Sequence, residues 1–289
     1  MKNLIKSHPI SSYLILTFSI SWFCWFFPMV FSLSKDMFFG IVLVGLLAPP
    51  IVAFILLHSI SVRKIKIDSK EIFWLYFILT VGLLFWKFSI VENGGNDFNG
   101  FYPKLSDFTL LGILLPILCC LFLALNASNA LNQNLQENYI KTLFFEKAKI
   151  KWYVIALLFF PLLYGSSFVI GRLLELETTE NAFTFNSAVV NSFFLVLLIA
   201  GGSAEFGWRG FLQKELQKKY NPLLTATVIA FFWALWNLPL HYNGIYSTEG
   251  FYHFLPRFIR TFQLAILFTW LYNKSGYSIL STMILYSMT

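Results

Sequence analysis

Long runs of apolar residues, separated by short polar stretches, recur along the whole chain. A helix needs roughly 20 apolar residues to cross about 30 Å of hydrocarbon, so runs of this length predict transmembrane helices. The runs lack the period-two alternation of barrel strands, which favours helices over a β-barrel. Eight candidate spans and a partial ninth follow: 10–33, 37–60, 72–91, 108–126, 152–174, 187–204, 222–241, 258–272 and the short remainder 276–289.

The composition indicates the same class of protein. Of the 289 residues, 57% are apolar, 19% aromatic and only 12% charged, far from the balance of a soluble domain. We therefore expect an all-α polytopic membrane protein with about eight to nine transmembrane helices, forming a single transmembrane domain over 1–289. The first run is expected to be an uncleaved span, since it is too long for a signal peptide and lacks a cleavage site. The shortness of the last run hints that the native chain continues.

The distribution of lysine and arginine predicts the orientation. With the N-terminus inside, 15 of the 21 basic residues fall in inside segments and 5 in outside segments, while Lys87 lies within a span. This bias predicts a multi-pass protein of the cell membrane with a cytoplasmic N-terminus, and with 61–70, 127–151 and 205–221 inside. The net charge of +7 is dispersed in short clusters, which excludes a nucleic-acid footprint and makes membrane lipid the expected partner of the basic loops.

A carboxylate and a guanidinium, Glu205 and Arg209, lie four residues apart at the edge of an apolar run. Ionisable groups are costly there and need a partner, and the spacing predicts an ion pair across one helical turn. The stretch 213–219 then interleaves glutamine and lysine with apolar residues. It predicts an amphipathic helix lying at the cytoplasmic interface.

Three segments together resemble the CPBP family of intramembrane proteases, which includes CAAX prenyl endopeptidases and abortive-infection or bacteriocin-processing proteins. They are GWRGFL at 207–212, WALWNLP at 233–239 and TWLYNKSGYSIL at 269–280. The first family motif is Glu-Glu-x-x-x-Arg, and Glu205 and Arg209 match its second glutamate and its arginine. The resemblance implies a CPBP/CAAX protease-like helical bundle with a family-like core at about 152–289.

The resemblance also implies where catalytic residues should stand. In the family, the first glutamate and the histidine of the second motif activate water, and a histidine and an asparagine of the third motif stabilise the oxyanion. This chain has Ala204, Asn237 and Tyr286 at the first three positions, and the asparagine would fall one residue past Thr289. Neither a methyl group nor an amide can act as a general base.

The retained scaffold and the replaced residues predict an inactive pseudoprotease that acts as a membrane binding or regulatory protein. A membrane protein or a lipidated peptide is the candidate partner. No cluster reaches the three protein ligands of a catalytic zinc site, so we expect no metal and no cofactor.

Two alternatives stay open. The first is an active intramembrane endopeptidase that cleaves prenylated or membrane-embedded peptides, with Glu205 or His241 as replacement. Consecutive helical residues point roughly 100° apart, so Glu205 does not occupy the place of a side chain at 204. Pro239 lies between Asn237 and His241, which argues against His241. The second alternative is a transporter, suggested by broken helices and Lys87, although no matching half-helices are evident.

Overall fold

The regular structure is helical throughout the part of the chain that the computed structural model describes, which is residues 7–61, 69–95, 101–130, 150–176, 187–242, 245 and 254–289. The helices are α1 (Pro9–Val30), α2 (Lys35–Leu46), α3 (Ala48–Ser61), α4 (Lys70–Glu92), α5 (Leu110–Ala130), α6 (Ile150–Leu173), α7 (Ser187–Leu198), α8 (Gly201–Gly207), α9 (Pro222–Trp236), α10 (Leu238–Tyr242), α11 (Phe254–Lys274) and α12 (Ile279–Ser287). A 3₁₀ turn spans Leu105–Asp107, and α8 continues through a π-helical stretch, Trp208–Gln213, into a last turn, Lys214–Gln217. The expected all-α class is confirmed.

The polytopic membrane character is confirmed as well, whereas the expected count of eight to nine spans is not. Among the residues that the structure describes, five helices are long and apolar enough to cross a membrane: Pro9–Val30, Lys70–Glu92, Ile150–Leu173, Ser187–Gln217 and Pro222–Tyr242. A sixth span results if α2 and α3, bent by 47° at their junction, count as one. The run at 276–289 contains the nine-residue helix α12, which at 1.5 Å per residue is only about 13 Å long. The basic segments 61–70 and 127–151 fall mostly outside the described residues.

The expected end of a transmembrane helix near residue 204 is wrong. A single 31-residue helical segment runs from Ser187 to Gln217. Gln213 and Leu216, which were expected at a solvated interface, are 0% and 2% exposed. The apolar face of this segment packs against neighbouring helices rather than lipid headgroups, and Gln213 finds polar partners inside the bundle. From Glu205 to Gln217 every residue is buried or half-buried, and the exposed residues begin at Lys218.

Buried hydrogen bonds around one serine join the N-terminal helix to the motif-bearing helices. Ser21 in α1 donates to the carbonyl oxygen of Gly45 at 2.8 Å and accepts from Nε1 of Trp236 at 2.6 Å. Trp25, one turn later, donates to the carbonyl oxygen of Val42 at 3.1 Å. Without water in the hydrocarbon, such polar groups must be satisfied within the protein. These bonds therefore fix α1, α2 and α9 against one another.

A second polar anchor holds the start of α2. The fully buried carboxylate of Asp36 accepts from the backbone nitrogen and the hydroxyl of Thr109, at 2.7 and 2.6 Å. Gly112 allows this approach, because a Cβ atom there would overlap the Asp36 side chain. A carboxylate in the first turn of a helix also interacts favourably with the helix dipole.

We predict that Asp36→Ala lowers the free energy of unfolding by about 2 kcal/mol, because it removes a buried charged acceptor with two donors. The matched control is Asp107→Ala, which removes an exposed carboxylate that accepts from the Lys104 nitrogen at 2.8 Å. Unfolding of both variants in mixed micelles measures the difference. Equal losses for the two variants would show that the Asp36 anchor has no special role.

Candidate functional site

A cavity of about 360 Å³ lies between the helices that carry the sequence motifs. Ala204 and Trp208 contribute one wall, Trp233 and Trp236 from α9 a second, and Tyr286 from α12 a third. Residues of α2, α4, α7, α10 and α11 complete the lining, together with Phe101, Tyr102 and Ile245. The cavity is thus aromatic and apolar over most of its surface, at the place where the sequence predicted a functional site.

The ion pair expected from the spacing is present, and it lies behind the cavity wall. Arg209 Nη1 donates to Glu205 Oε1 at 3.0 Å, and both side chains are 0% exposed. The guanidinium carbon lies 5.0 Å from the ring centroids of both Trp233 and Phe268, which are adjacent to each other with centroids 6.0 Å apart. These cation–π contacts add to the Coulombic attraction in a desolvated setting. Neither Glu205 nor Arg209 lines the cavity.

Part of the hydrogen-bonding capacity of the pair stays unused. Among the described residues, Glu205 Oε2 and Arg209 Nε and Nη2 have no hydrogen-bond partner. Buried charged groups in this condition are stable only while they face each other, because removing one leaves the other uncompensated. The pair therefore behaves as one structural unit.

The π-helical stretch that contains Arg209 also positions Gln213. Such stretches are rare and often occur at functional sites. Gln213 Oε1 accepts from the Thr269 hydroxyl at 3.3 Å, and its Nε2 donates to Asn273 Oδ1 at 3.4 Å. Sequence reasoning missed this contact between α8 and α11. The available signal was the spacing of Glu205, Arg209 and Gln213, each four residues after the last, which makes one polar stripe.

Two of the three replaced positions meet at the cavity. Ala204 lines it and is 4% exposed, and Tyr286 lines it from the opposite helix. The Tyr286 ring lies against Gly201, where a Cβ atom would overlap it. The ring also packs 5.9 Å from Trp233 and 6.0 Å from Phe268, between centroids. An aromatic side chain thus occupies the space next to Gly201, one residue position short of a helical turn before Ala204.

The third replaced position does not reach the cavity lining. Asn237 caps the end of α9, and its amide donates to the carbonyl oxygen of Trp233 at 3.0 Å. His241 is buried in α10, with its ring 5.7 Å from that of Phe254, and is also absent from the lining.

Within the described ranges, no three histidine, cysteine or acidic side chains group closely enough to hold a metal ion. The roles of Glu205, Arg209, Ala204, Asn237 and Tyr286 stay predictions.

Tyr13 is a further buried neighbour that sequence reasoning did not assign to the site. Its ring stacks on Phe211 at 5.3 Å and meets Trp208 edge-on at 5.9 Å. Gly207 leaves room for its hydroxyl. Tyr13 therefore holds α1 against the turn that carries Arg209, and a tyrosine within an apolar run gave no signal of this contact.

We predict that Arg209→Ala lowers the free energy of unfolding by about 3–5 kcal/mol, because Glu205 becomes an uncompensated buried charge. The double variant Glu205→Leu with Arg209→Met should lose much less, since it removes both charges. Lys218→Ala is the surface control, because it breaks an ion pair to Glu215 in which the lysine is 59% exposed, and it should cost below about 1 kcal/mol. Unfolding in micelles measures all three. If Arg209→Ala lowered the free energy of unfolding only slightly, the ion pair would not be desolvated.

Comparisons with known proteins agree with the resemblance to CAAX prenyl endopeptidases. Residues 186–289 match the family described as type II CAAX prenyl endopeptidase Rce1-like. The chain is also 26% identical over 222 residues to a CAAX prenyl protease 2 of Methanococcus maripaludis, an alignment that covers 73% of this chain and 79% of that protein. Both matches are to CAAX prenyl endopeptidases, the group of proteins that the three sequence segments resemble.

Proposed function

We propose that this protein is a pseudoprotease of the CAAX protease-like family, a membrane binding or regulatory protein that does not hydrolyse peptides. The observation that carries the proposal is the cavity wall at position 204. A methyl group stands there, while the adjacent carboxylate, Glu205, is paired with Arg209 outside the cavity lining.

The chemistry of peptide hydrolysis explains why this arrangement argues against catalysis. A general base near neutral pH contributes roughly 10²–10⁴-fold in rate, and neither Ala204 nor Asn237 can accept a proton. The loss of an oxyanion donor costs on the order of 10²–10³-fold more, although the Tyr286 hydroxyl can still donate one hydrogen bond. Glu205 could substitute only by leaving Arg209 and reaching around the helix.

A binding role is supported by what the chain has kept. The cavity volume of about 360 Å³ falls in the range of ligand sites, and its walls are rigid aromatic side chains. We propose that it receives a membrane-embedded partner, either a membrane protein segment or a lipidated peptide. We further propose a single transmembrane domain in the cell membrane with a cytoplasmic N-terminus, on the basis of the lysine and arginine distribution.

The proposal predicts that the unmodified protein, reconstituted in liposomes, cleaves no member of a library of prenylated and membrane-embedded peptides. The combined change Ala204→Glu, Asn237→His and Tyr286→His, with an asparagine added after Thr289, should restore some cleavage. Each single change should restore little, because such groups act as a unit. Ala204 lines the cavity, so a glutamate introduced at this position is expected to face it.

The control for this assay is Glu205→Gln in the unmodified protein. Turnover by the unmodified protein that disappears in Glu205→Gln would overturn the pseudoprotease proposal. It would show instead that the unmodified protein is an active intramembrane endopeptidase.

The orientation is tested by cysteine labelling in intact cells. We predict that Lys66→Cys and Lys149→Cys do not react with an impermeant maleimide added from outside, because both lysines belong to segments expected in the cytoplasm. Lys104→Cys, in an expected outside segment, is the matched control and should react. Labelling at 66 or 149 without prior permeabilisation would contradict the orientation.

A further inference from the structure

A groove of about 470 Å³ lies between the start of α9 and the end of α11, and it shares no lining residue with the cavity described above. Its described lining consists of Pro222, Leu223 and Ala226 from α9 and Ile266, Thr269, Trp270, Asn273 and Lys274 from α11. Leu223, Ile266 and Trp270 are exposed large apolar side chains, so the groove opens on the outer surface of the bundle. In a membrane-spanning bundle that surface faces lipid.

Hydrogen bonds behind the groove determine which polar group it offers to a ligand. The Thr269 hydroxyl donates to Gln213 Oε1 at 3.3 Å, and Gln213 Nε2 donates to Asn273 Oδ1 at 3.4 Å. The carboxamide oxygen of Asn273 is therefore engaged with Gln213. The amide nitrogen of Asn273, which can only donate hydrogen bonds, is the group left for the groove.

A charged donor stands next to this amide. Lys274 lines the groove and is exposed, and no carboxylate of the described residues pairs with it. The described lining contains no aspartate or glutamate. The polar end of the groove thus presents an ammonium and an amide donor, which suit the oxygens of a phosphate. It offers no counter-charge to a cationic head group.

The position of Trp270 indicates where the membrane surface lies. Its ring packs against that of Trp152, 5.6 Å between centroids, and the Lys151 ammonium lies 4.8 Å from the Trp152 centroid. Tryptophan favours the interface between membrane and water. Lys274, one turn after Trp270 at the end of α11, therefore lies at the level of the lipid head groups. Ile266, one turn before Trp270, lies at the level of the acyl chains.

We propose that this groove binds an anionic phospholipid, with its phosphate at Lys274 and Asn273 and an acyl chain along Leu223 and Ile266. The segment 205–221 ends just before α9, so the groove lies at the end of the bundle that the basic residues assign to the cytoplasm. The cytoplasmic leaflet carries the anionic lipids. This site is separate from the cavity and does not depend on the proposed function.

Native mass spectrometry of the full-length protein, titrated with lipid in detergent, tests the proposal. Phosphatidylglycerol should bind at least fivefold more tightly than phosphatidylcholine with the same chains, because only the former lacks a cationic group. Diacylglycerol has the chains without the phosphate, and glycerol 3-phosphate has the phosphate without the chains. Each of these two should also bind at least fivefold more weakly than phosphatidylglycerol.

The variants separate the head group from the chain. Lys274→Gln should weaken phosphatidylglycerol binding roughly fivefold, the contribution of one lysine near an anionic lipid. Lys219→Gln is the matched control and should leave binding unchanged, because Lys219 is an exposed lysine near the start of α9 that does not line the groove. Ile266→Trp narrows the apolar part of the groove and should weaken binding of both phospholipids. Melting temperatures show whether each variant is folded.

Several outcomes would overturn the assignment. Equal affinities for phosphatidylglycerol and phosphatidylcholine, or equal effects of Lys274→Gln and Lys219→Gln, would refute the anionic head group. Binding of glycerol 3-phosphate as tight as that of phosphatidylglycerol would identify a phosphate site and refute the lipid. Unchanged phosphatidylglycerol binding by folded Ile266→Trp would show that no acyl chain occupies the groove.

Discussion

The charge pair between Glu205 and Arg209 is the interaction on which the organisation of the site depends. Neither charge is tolerable alone inside a membrane bundle, and the guanidinium also lies near the faces of the adjacent Trp233 and Phe268 rings. These contacts join the π-helical stretch to α9 and α11. Trp208 and Trp233, from the same elements, line the neighbouring cavity.

Helical geometry separates two roles of the segment Ser187–Gln217, which lines the cavity with one face and holds neighbouring helices with another. Adjacent residues point roughly 100° apart, so the stripe that contains Ala204 and Trp208 faces the cavity, while the stripe that contains Glu205, Arg209 and Gln213 faces the protein interior. Substitutions on the cavity-facing stripe can then occur without changing the residues of the interior-facing stripe. Replacement at 204 changes the cavity wall without disturbing the charge pair that holds the helices together.

The sequence predicted the helical membrane class and the ion pair, because both depend on local periodicity and composition. It did not predict that the helical segment Ser187–Gln217 extends beyond residue 204, since a polar residue such as Gln213 looks solvated until its partners Thr269 and Asn273 are known. The anchor between Asp36 and Thr109 is hidden for the same reason. Contacts between residues so distant in the chain leave no periodic signal.

The packing of Tyr286 against Gly201 restricts the order in which these two positions could have changed. A side chain larger than glycine at 201 overlaps the tyrosine ring as it is packed here, whereas a glycine at 201 accepts either a large or a small residue at 286. A lineage that carries tyrosine at this position must therefore already have possessed glycine at the other. Evolutionary histories reconstructed for related chains should show the glycine first, and chains with a Cβ atom at 201 should lack the tyrosine.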